Sequence, residues 1–366
     1  MKDLSQYRAE LDALDSQLVA LFEKRMHVAR DIALYKHAHQ MNILDAARED
    51  AVLQSRAAQV TEEELRRPTM QLFREIMRLS REEQRRILDS ITETQTVAYM
   101  GVPGAFSESA VIGFFGDDCQ RAHYKTFEDV FAAVARGEAK YGVVPIENSS
   151  SGSITMVYDL MGKYACHIVG EQLVRVEQCL LAVPGAQLED IRTVYSHEQG
   201  FAQCPVFLGQ HPEWEQKPYF NTAIAAQHVA QLGDKGNAAI ASRLAARHYG
   251  LDVLVPDIHS KDSNHTRFFI VSTSPRPIGL PDKATLTFTV RHERGTLMHA
   301  LSSFTAMGMN LTHIESRPLK DASWEYCFYV DLCGNVSEES LHLLMSSLTA
   351  DCVNCRLLGA YRAAKV

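Results

Sequence analysis

Apolar residues recur at alternating spacings of three and four along the start of the chain. Leu4, Tyr7, Leu11, Leu14, Leu18, Leu21, Val28, Ile32 and Tyr35 fit the a and d positions of a heptad over more than four repeats, with Arg25 breaking the pattern at one a position. This period predicts one long helix. A second helix is predicted from about Asp45 to Ala58. Thr61 and Glu64 form a capping box before a third, which runs to about Ser90. Pro68 near its start is tolerated. Its stripe is Phe73, Ile76, Met77, Ile87 and Leu88, with Ser80 and Gln84 inside it. After a polar linker, Thr92 to Thr96, the pattern changes to short apolar runs. Strands are predicted at Val97–Met100, Tyr141–Pro145, His167–Leu173, Cys179–Val183, Thr193–Tyr195, Ala238–Ile240 and Phe268–Ser272, alternating with helical stretches. That alternation is an α/β pattern. Gly101 to Gly104 reads as a turn, with Ser107 as N-cap of the next helix. Pro275, Pro277 and Pro281 mark a second linker. Beyond it come a strand (Thr285–Val290), a helix (Gly295–Met307), two strands (Asn310–Pro318, Glu325–Leu332), a helix (Ser337–Thr349) and a strand (Cys352–Tyr361). This βαββαβ order is ferredoxin-like. The expected architecture is multidomain, α then α/β then α+β, over residues 1–92, 96–274 and 284–362.

Composition sharpens this division. All 20 glycines lie from Gly101 onward, and residues 1–90 hold a single proline. The chain has 366 residues and a formal net charge of −8. Residues 1–90 carry 15 basic and 16 acidic side chains, so they present no basic face for nucleic acid. No run of about 18 apolar residues predicts a membrane helix. The first residues carry acids and no apolar block of the secretory kind, so a cytoplasmic location is expected. Eight cysteines in a chain this long do not form a disulfide framework. Cys352 and Cys355 make a lone C-x-x-C without a second pair at zinc spacing, and no metal site is expected.

Arg25 and Lys36 are eleven residues apart and share one face of the first helix. A cation on an apolar seam needs a partner. Asp45, Arg48 and Glu49 share a face of the second helix, and Ser80 and Gln84 form an i, i+4 pair on the third. By periodicity alone these residues are either interhelical salt bridges and register-setting polar groups, or a site for a small anionic ligand. The set Arg8, Arg25, Lys36, Asp45, Arg48, Glu49, Ser80 and Gln84 resembles, in residue type and spacing, the active site of the all-helical chorismate mutases. The resemblance implies a Claisen rearrangement of chorismate to prephenate, which requires no cofactor. Lys36 and Gln84 would address the ether oxygen. Arg8, Arg25, Arg48 and Ser80 would handle the carboxylates and their surroundings. Asp45 and Glu49 would position the substrate hydroxyl and the neighbouring cations. Arg8 and Arg25 are 17 residues apart, about 26 Å along one helix, so a small substrate cannot touch both in one copy. A homodimer or higher homo-oligomer, with Arg8 supplied by the partner, is expected.

In the middle region, Gly101 to Glu108 places a glycine turn before a helix, either an ordinary turn or an anion cradle. Pro145-Ile146-Glu147-Asn148-Ser149 opens a hydroxyl-rich loop, and Asn264-His265-Thr266-Arg267-Phe268 enters a strand. These segments, with Ser196-His197 and Thr222-Ala223, resemble prephenate dehydratases across residues 97–273, whose hallmark is the Thr266-Arg267-Phe268 triplet. Glu198 and Asn221 depart from that family's usual residues. The resemblance implies two α/β lobes around a cleft. There prephenate would lose carbon dioxide and hydroxide to give phenylpyruvate, with Thr266 assisting the leaving oxygen and Arg267 holding a carboxylate. Glu147, Asn148, Ser149 and Phe268 would line the cleft. His197 and His265 are either acids or structural hydrogen-bonding groups.

The last region resembles the amino-acid-binding ACT domain through Gly295-Thr296-Leu297-Met298 and Glu315-Ser316-Arg317-Pro318, with Thr296 and Met298 departing from the usual residues. The implied ligand is L-phenylalanine. Truncation after about Pro275 would then leave dehydratase activity without its inhibition. Taken whole, the chain resembles the fused chorismate mutase/prephenate dehydratases with a C-terminal regulatory domain. Two other readings compete: a ligand-sensing transcription regulator, which needs a basic recognition helix that residues 1–90 lack, and a catalytically dead amino-acid sensor, which the intact eight-residue set and Thr266 oppose.

Overall fold

The computed structural model describes residues 2–39, 41, 43–91, 96–260, 263–291, 293–318, 326–349 and 352–364. The predicted linker residues 92–95, Glu325 and the side chains of Ile87 and Leu88 lie outside the described residues. The chain divides into two compact units, Met1–Thr94 and Gln95–Val366.

The first unit is three helices: α1 (Leu4–Ala38), α2 (Ala46–Ala58) and α3 (Glu63–Ile91). Asp45 starts α2 as its cap, its carboxylate accepting the Arg48 backbone N–H at 3.0 Å. The third helix begins at Glu63, one residue later than a Thr61 cap would place it. Pro68 is therefore its sixth residue, and the carbonyl of Glu64 lacks the donor an ordinary residue would supply there. Both α1 and α2 pack on α3. Among the described residues those buried are Met26, Ala29 and Ala33 of α1, Leu53 of α2, and Met77, Ser80 and Gln84 of α3. All three from α1 lie in its C-terminal half. In its N-terminal half Leu4, Tyr7, Leu11, Leu14, Leu18 and Leu21 are exposed in the single chain.

Among the described residues the second unit contains three sheets. In chain order its elements are β1 (Val97–Met100), α4 (Phe106–Phe115), β2 (Arg121–Tyr124), α5 (Phe127–Ala135), β3 (Tyr141–Asn148), β4 (Gly152–Ser153), α6 (Met156–Lys163), β5 (His167–Arg175), β6 (Cys179–Ala182), β7 (Thr193–Ser196), α7 (Glu198–Gln203), α8 (Pro205–Leu208), β8 (Glu215–Pro218), α9 (Thr222–Leu232), β9 (Asn237–Ala241), α10 (Arg243–Tyr249), β10 (Asp252–Val255) and β11 (His265–Ser272). There follow β12 (Lys283–Val290), α11 (Thr296–Ala306), β13 (Asn310–Pro318), β14 (Tyr326–Cys333), α12 (Glu338–Leu348) and β15 (Cys352–Tyr361). The first sheet has the order β2-β1-β3-β11-β5, with β4 on β3. The second runs β10-β6-β9-β7-β8 and the third β13-β14-β12-β15. Val143, Val144 and Ile146 are all fully buried, so β3 is covered on both faces and its apolar run is continuous. Ser107 is not the cap of α4: Ala105 precedes that helix, and Ser107 lies buried inside its first turn.

The proline-marked linker is not a gap in packing. Leu358 and Tyr361 of β15 belong to the same apolar core as Val144, Ile168 and Phe269. Gly359 makes this approach possible, because a Cβ there would lie 2.0 Å from the carbonyl oxygen of Ile168. The C-terminal sheet and the dehydratase-like region therefore share one core within the second unit.

Candidate active sites

In the helical unit, Arg25 Nη1 donates to the Ser80 hydroxyl and, at 3.4 Å, to the carbonyl of Ile76. Burial, with nearby Arg56, holds the Arg25 guanidinium below its usual pKa. Lys36 Nζ donates to the carbonyl of Ile43 at 2.6 Å. Glu49 pairs with Arg81, one residue beyond Ser80. Gln84 is one turn further along α3, buried, and its Oε1 has no hydrogen-bond partner among the described residues. The fold thus brings Arg25 onto Ser80 and Glu49 onto the neighbouring Arg81, while Lys36 and Gln84 lie on the same packed helices without a side-chain hydrogen bond to those pairs among the described residues. The Asp45 carboxylate is used as a cap, and Arg48 is exposed. Arg8 sits near the other end of α1, exposed. The sequence reading missed Arg81; its signal was its position beside Ser80, on the helix that packs against the one carrying Glu49.

The second candidate is a cleft of about 780 Å³ in the second unit, lined by Phe106, Ser107, Asn148, Ser151, Gln178, His197, Gln199, Asn221, Thr222, Thr266 and Phe268 among others. Its polar centre is the ladder pair Asn148 and Thr266, directly opposite each other on β3 and β11. Asn148 Oδ1 accepts the backbone N–H groups of Ser150 and Ser151 at 2.9 and 3.0 Å. Those two donors fix which way the amide points. Its Nδ2 therefore donates, at 2.9 Å to Thr266 Oγ1 and 2.9 Å to Asn264 Oδ1, with the His265 carbonyl at 3.2 Å. Because the threonine oxygen accepts from Asn148, the hydroxyl proton is left to point elsewhere, and the cleft is where Thr266 is exposed to a ligand.

Ser149 does not line the cleft. Its hydroxyl donates to the Ser263 carbonyl at 2.9 Å and accepts the His265 N–H at 3.0 Å, pinning the loop to β11. Glu147 and Arg267 also depart from expectation. They are a ladder pair one step along from Asn148 and Thr266, and side chains on a strand alternate between faces. Arg267 Nε and Nη2 donate to Glu147 Oε2 at 3.1 and 2.9 Å, and Nη1 to Asp331 Oδ2 of β14 at 2.5 Å. Arg267 is 8% exposed and Asp331 fully buried. Glu171 lies 3.4 Å from Arg267 Nη1 and accepts from Lys283 Nζ at 2.7 Å. Burial alone would push the Arg267 guanidinium down, but Asp331 and Glu171 outweigh it and hold it above its ordinary value.

The glycine turn is not an open anion cradle at Gly104. Its N–H donates to Glu108 Oε2 at 2.7 Å, and that carboxylate also meets His248 Nε2 at 2.9 Å. Ser242 and Tyr249 donate to the carbonyls of Gly104 and Pro103, both at 2.7 Å, joining the turn to α10 of the other lobe. Gly104, at φ +88°, permits the approach: a Cβ would lie 2.6 Å from Ala245 Cα. His197 Nδ1 accepts the Gln199 N–H at 3.1 Å as the cap of α7, which leaves Nε2 to carry the proton of the neutral ring. Asn221 caps α9, accepting from Ala223 and Ile224, a task Ser or Asp performs equally well.

A third pocket, of about 470 Å³, lies at the start of α11 and is lined by Val290, Arg291, Gly295, Thr296, Leu297, Met298, Leu301, Tyr326 and Phe328. The Thr296 hydroxyl donates to the Arg291 carbonyl at 2.8 Å, bracing the turn before the helix. Glu315, Ser316, Arg317 and Pro318 are not part of this pocket in one chain. They lie on β13, an edge strand, where Arg317 donates to Asp159 at 2.7 Å.

Residues 7–85 match the family model described as chorismate mutase type II, and residues 97–276 that of prephenate dehydratase. The bifunctional chorismate mutase/prephenate dehydratase of Stutzerimonas stutzeri is 31% identical over 368 residues, spanning 98% of this chain and 97% of that one. A solved chain titled GqqA, a novel type of quorum quenching acylase, is 32% identical with a TM-score of 0.68, covering 74% of this chain and 98% of its own. The prephenate dehydratase of Arthrobacter aurescens, solved in complex with L-Phe, is 31% identical with a TM-score of 0.65, covering 73% of this chain and 90% of its own. With a helical mutase unit and a dehydratase cleft in the same order along nearly the whole length, the chain belongs to the bifunctional chorismate mutase/prephenate dehydratase family.

Proposed function

We infer that the chain converts chorismate to prephenate in its helical unit and prephenate to phenylpyruvate in its cleft. The observation that carries this reading is the Asn148–Thr266 pair in a cleft of substrate size, on a chain matched by both family models.

The first reaction is unimolecular. The residues need only hold an extended dicarboxylate in a compact conformer and meet the charge that grows on its ether oxygen. Arg25 supplies a partly desolvated guanidinium braced by Ser80. Lys36 and Gln84 are assigned to the ether oxygen. A neutral amide donates without needing a proton from solvent. The exposed apolar stripe from Leu4 to Leu21 supports a partner helix along α1, which would bring a second chain's Arg8 to this site.

In the second reaction prephenate loses carbon dioxide and hydroxide, which leaves as water after taking a proton, while the ring becomes aromatic. The difficult event is departure of hydroxide. Thr266, oriented by Asn148, is assigned the hydrogen bond to that oxygen. It is a weak acid, so its part is that of a positioned donor. Arg267, engaged with three carboxylates, is not assigned to the substrate.

The C-terminal sheet, with β13 and β12 flanking β14 and the order β13-β14-β12-β15, supports a ferredoxin-like ACT domain. Its pocket beside Gly295 is assigned to L-phenylalanine, with Leu297, Met298 and Phe328 offering apolar contact. Glu315 to Pro318, on the edge strand β13, are assigned to complete such a site across a subunit contact. Incubation with chorismate, following prephenate and phenylpyruvate separately with and without phenylalanine, tests the whole reading. Accumulation of neither product removes it, and product formation indifferent to phenylalanine removes the regulatory part.

A further inference from the structure

The strands β3 and β11 carry two ladder pairs back to back. Asn148 and Thr266 meet on the cleft side, and Glu147 and Arg267 meet one residue along on the other side. The guanidinium of Arg267 is held at its far end by Asp331, which belongs to the C-terminal sheet. Asp331 has no slack: its other oxygen accepts the Thr285 hydroxyl at 2.7 Å, and Thr285 is itself 2.6 Å from the Tyr361 hydroxyl. Lys283 adds a second cation, bonded to Glu171 at 2.7 Å and 3.6 Å from Asp331. The pairing of β11 with β3 also shifts register between Arg267 and Phe268, just after the threonine–arginine step. A bulge there re-aims adjacent side chains, and its geometry depends on what holds each of them.

We propose that Asp331 is a positioning residue for the dehydration step: through Arg267 and Glu147 it sets the placement of Thr266 and Asn148 against the leaving oxygen. The inference rests on the dehydratase reading and adds to it the physical route by which the C-terminal sheet acts on the cleft. It follows from burial and alternation together. A fully buried carboxylate from one sheet grips a buried guanidinium of another, and neighbouring residues on a strand cannot move independently. A shift of the C-terminal sheet that displaces Asp331 must displace Arg267 or leave two opposite charges buried and apart, which is the costlier outcome. Displacing Arg267 turns the adjacent Thr266 hydroxyl off its line. The geometry makes a different demand from substrate binding by Arg267, since a carboxylate ligand would have to compete with three protein carboxylates.

The test measures kcat and KM for prephenate in the full-length chain, for Asp331→Asn alone and in a Thr266→Val background. The amide keeps the size of Asp331 but faces Arg267 with an N–H or an uncharged oxygen. Asp331→Asn is expected to lower kcat roughly tenfold, a displacement effect, with KM within about twofold. In the Thr266→Val background, where there is no hydroxyl to place, the same change is expected to alter kcat by less than about twofold. Equal losses in both backgrounds, or a raised KM with unchanged kcat, would overturn the proposal. Should Asp331→Asn fail to fold, judged by circular dichroism and thermal melting, the paired variant Arg267→Met with Asp331→Leu removes both charges at similar volume. It is expected to fold and to show the same loss of kcat; wild-type kcat in that variant would overturn the proposal. Absence of dehydratase turnover in the unsubstituted chain would instead remove the dehydratase reading itself.

Discussion

Replacing Thr266 with valine removes one hydroxyl and almost no volume. The structure limits what else changes. Asn148 Nδ2 loses one of three acceptors but keeps Asn264 Oδ1 at 2.9 Å and the His265 carbonyl at 3.2 Å. The cost to folding is that of one hydrogen bond, about 1 kcal/mol. The effect on rate is larger. Removing a single preorganised donor to a developing oxyanion costs on the order of 10²–10³ in kcat, or about 2.7–4 kcal/mol. Thr266→Val should fall in that range, with phenylpyruvate formation from prephenate as the assay. Thr266→Ser, which keeps the hydroxyl and the Asn148 bond, should stay within about tenfold of the parent. Asn148→Asp gives a sharper contrast. A carboxylate can only accept, so it would draw the threonine proton away from the cleft, and activity should fall although Thr266 is intact. A Thr266→Val enzyme within about fivefold of the parent would refute the assignment.

The mutase site predicts complementation. Arg8→Ala and Lys36→Ala chains, each inactive as mutases, should recover activity in verified mixed dimers, because one site then holds both residues; absence of recovery counts against a shared site. Gly359→Ala forces a Cβ toward the Ile168 carbonyl oxygen, 2.0 Å away, and should cost at least ~1–3 kcal/mol by thermal or denaturant unfolding. The thiols should be unreactive toward a thiolate-selective reagent near pH 8 wherever they are buried. Burial pushes Cys166 up to about 11 and Cys204 up to about 12, so reaction at these two buried thiols should require unfolding.

How far the sequence revealed this molecule depended on the kind of signal. The apolar runs of β1, β3 and β5 were legible because burial makes them continuous, whereas the heptad of α1 marked the helix but not its packed face: Val28, Ile32 and Tyr35 are exposed in the single chain, and Met26, Ala29 and Ala33 are buried instead. The strands β2 (Arg121–Tyr124) and β8 (Glu215–Pro218) were not, because they are sheet edges without an apolar run, β8 exposed throughout and β2 only part-buried. The spacing of Arg8, Arg25, Lys36, Asp45, Arg48, Glu49, Ser80 and Gln84 suggested one set before any coordinates, yet it could not say that the Asp45 carboxylate would be used as a helix cap. The Thr266-Arg267-Phe268 triplet was read as one functional unit. Alternation splits it, sending Thr266 and Phe268 to the cleft and Arg267 to the far side. A signal for that existed: Glu171 and Asp331 are lone acids in otherwise apolar runs, and a buried acid demands a buried cation. Which cation it was depended on contacts between residues more than 60 positions apart, which periodicity does not encode. The same shared core changes the truncation expected from sequence. Ending the chain after Pro275 would strip Arg267 of Asp331 and expose the surface covered by Leu358 and Tyr361, so a destabilised, weakly active fragment is now expected instead of an uninhibited enzyme.

The most direct measurement supplies chorismate to the purified full-length chain and follows prephenate and phenylpyruvate separately, alongside Lys36→Ala and Thr266→Val. The parent should form both products in sequence. Lys36→Ala should make neither from chorismate yet convert added prephenate at the parental rate, and Thr266→Val should accumulate prephenate. Loss of both activities in either variant, or phenylpyruvate formed by the parent without a prephenate requirement, would contradict two separate sites on one chain.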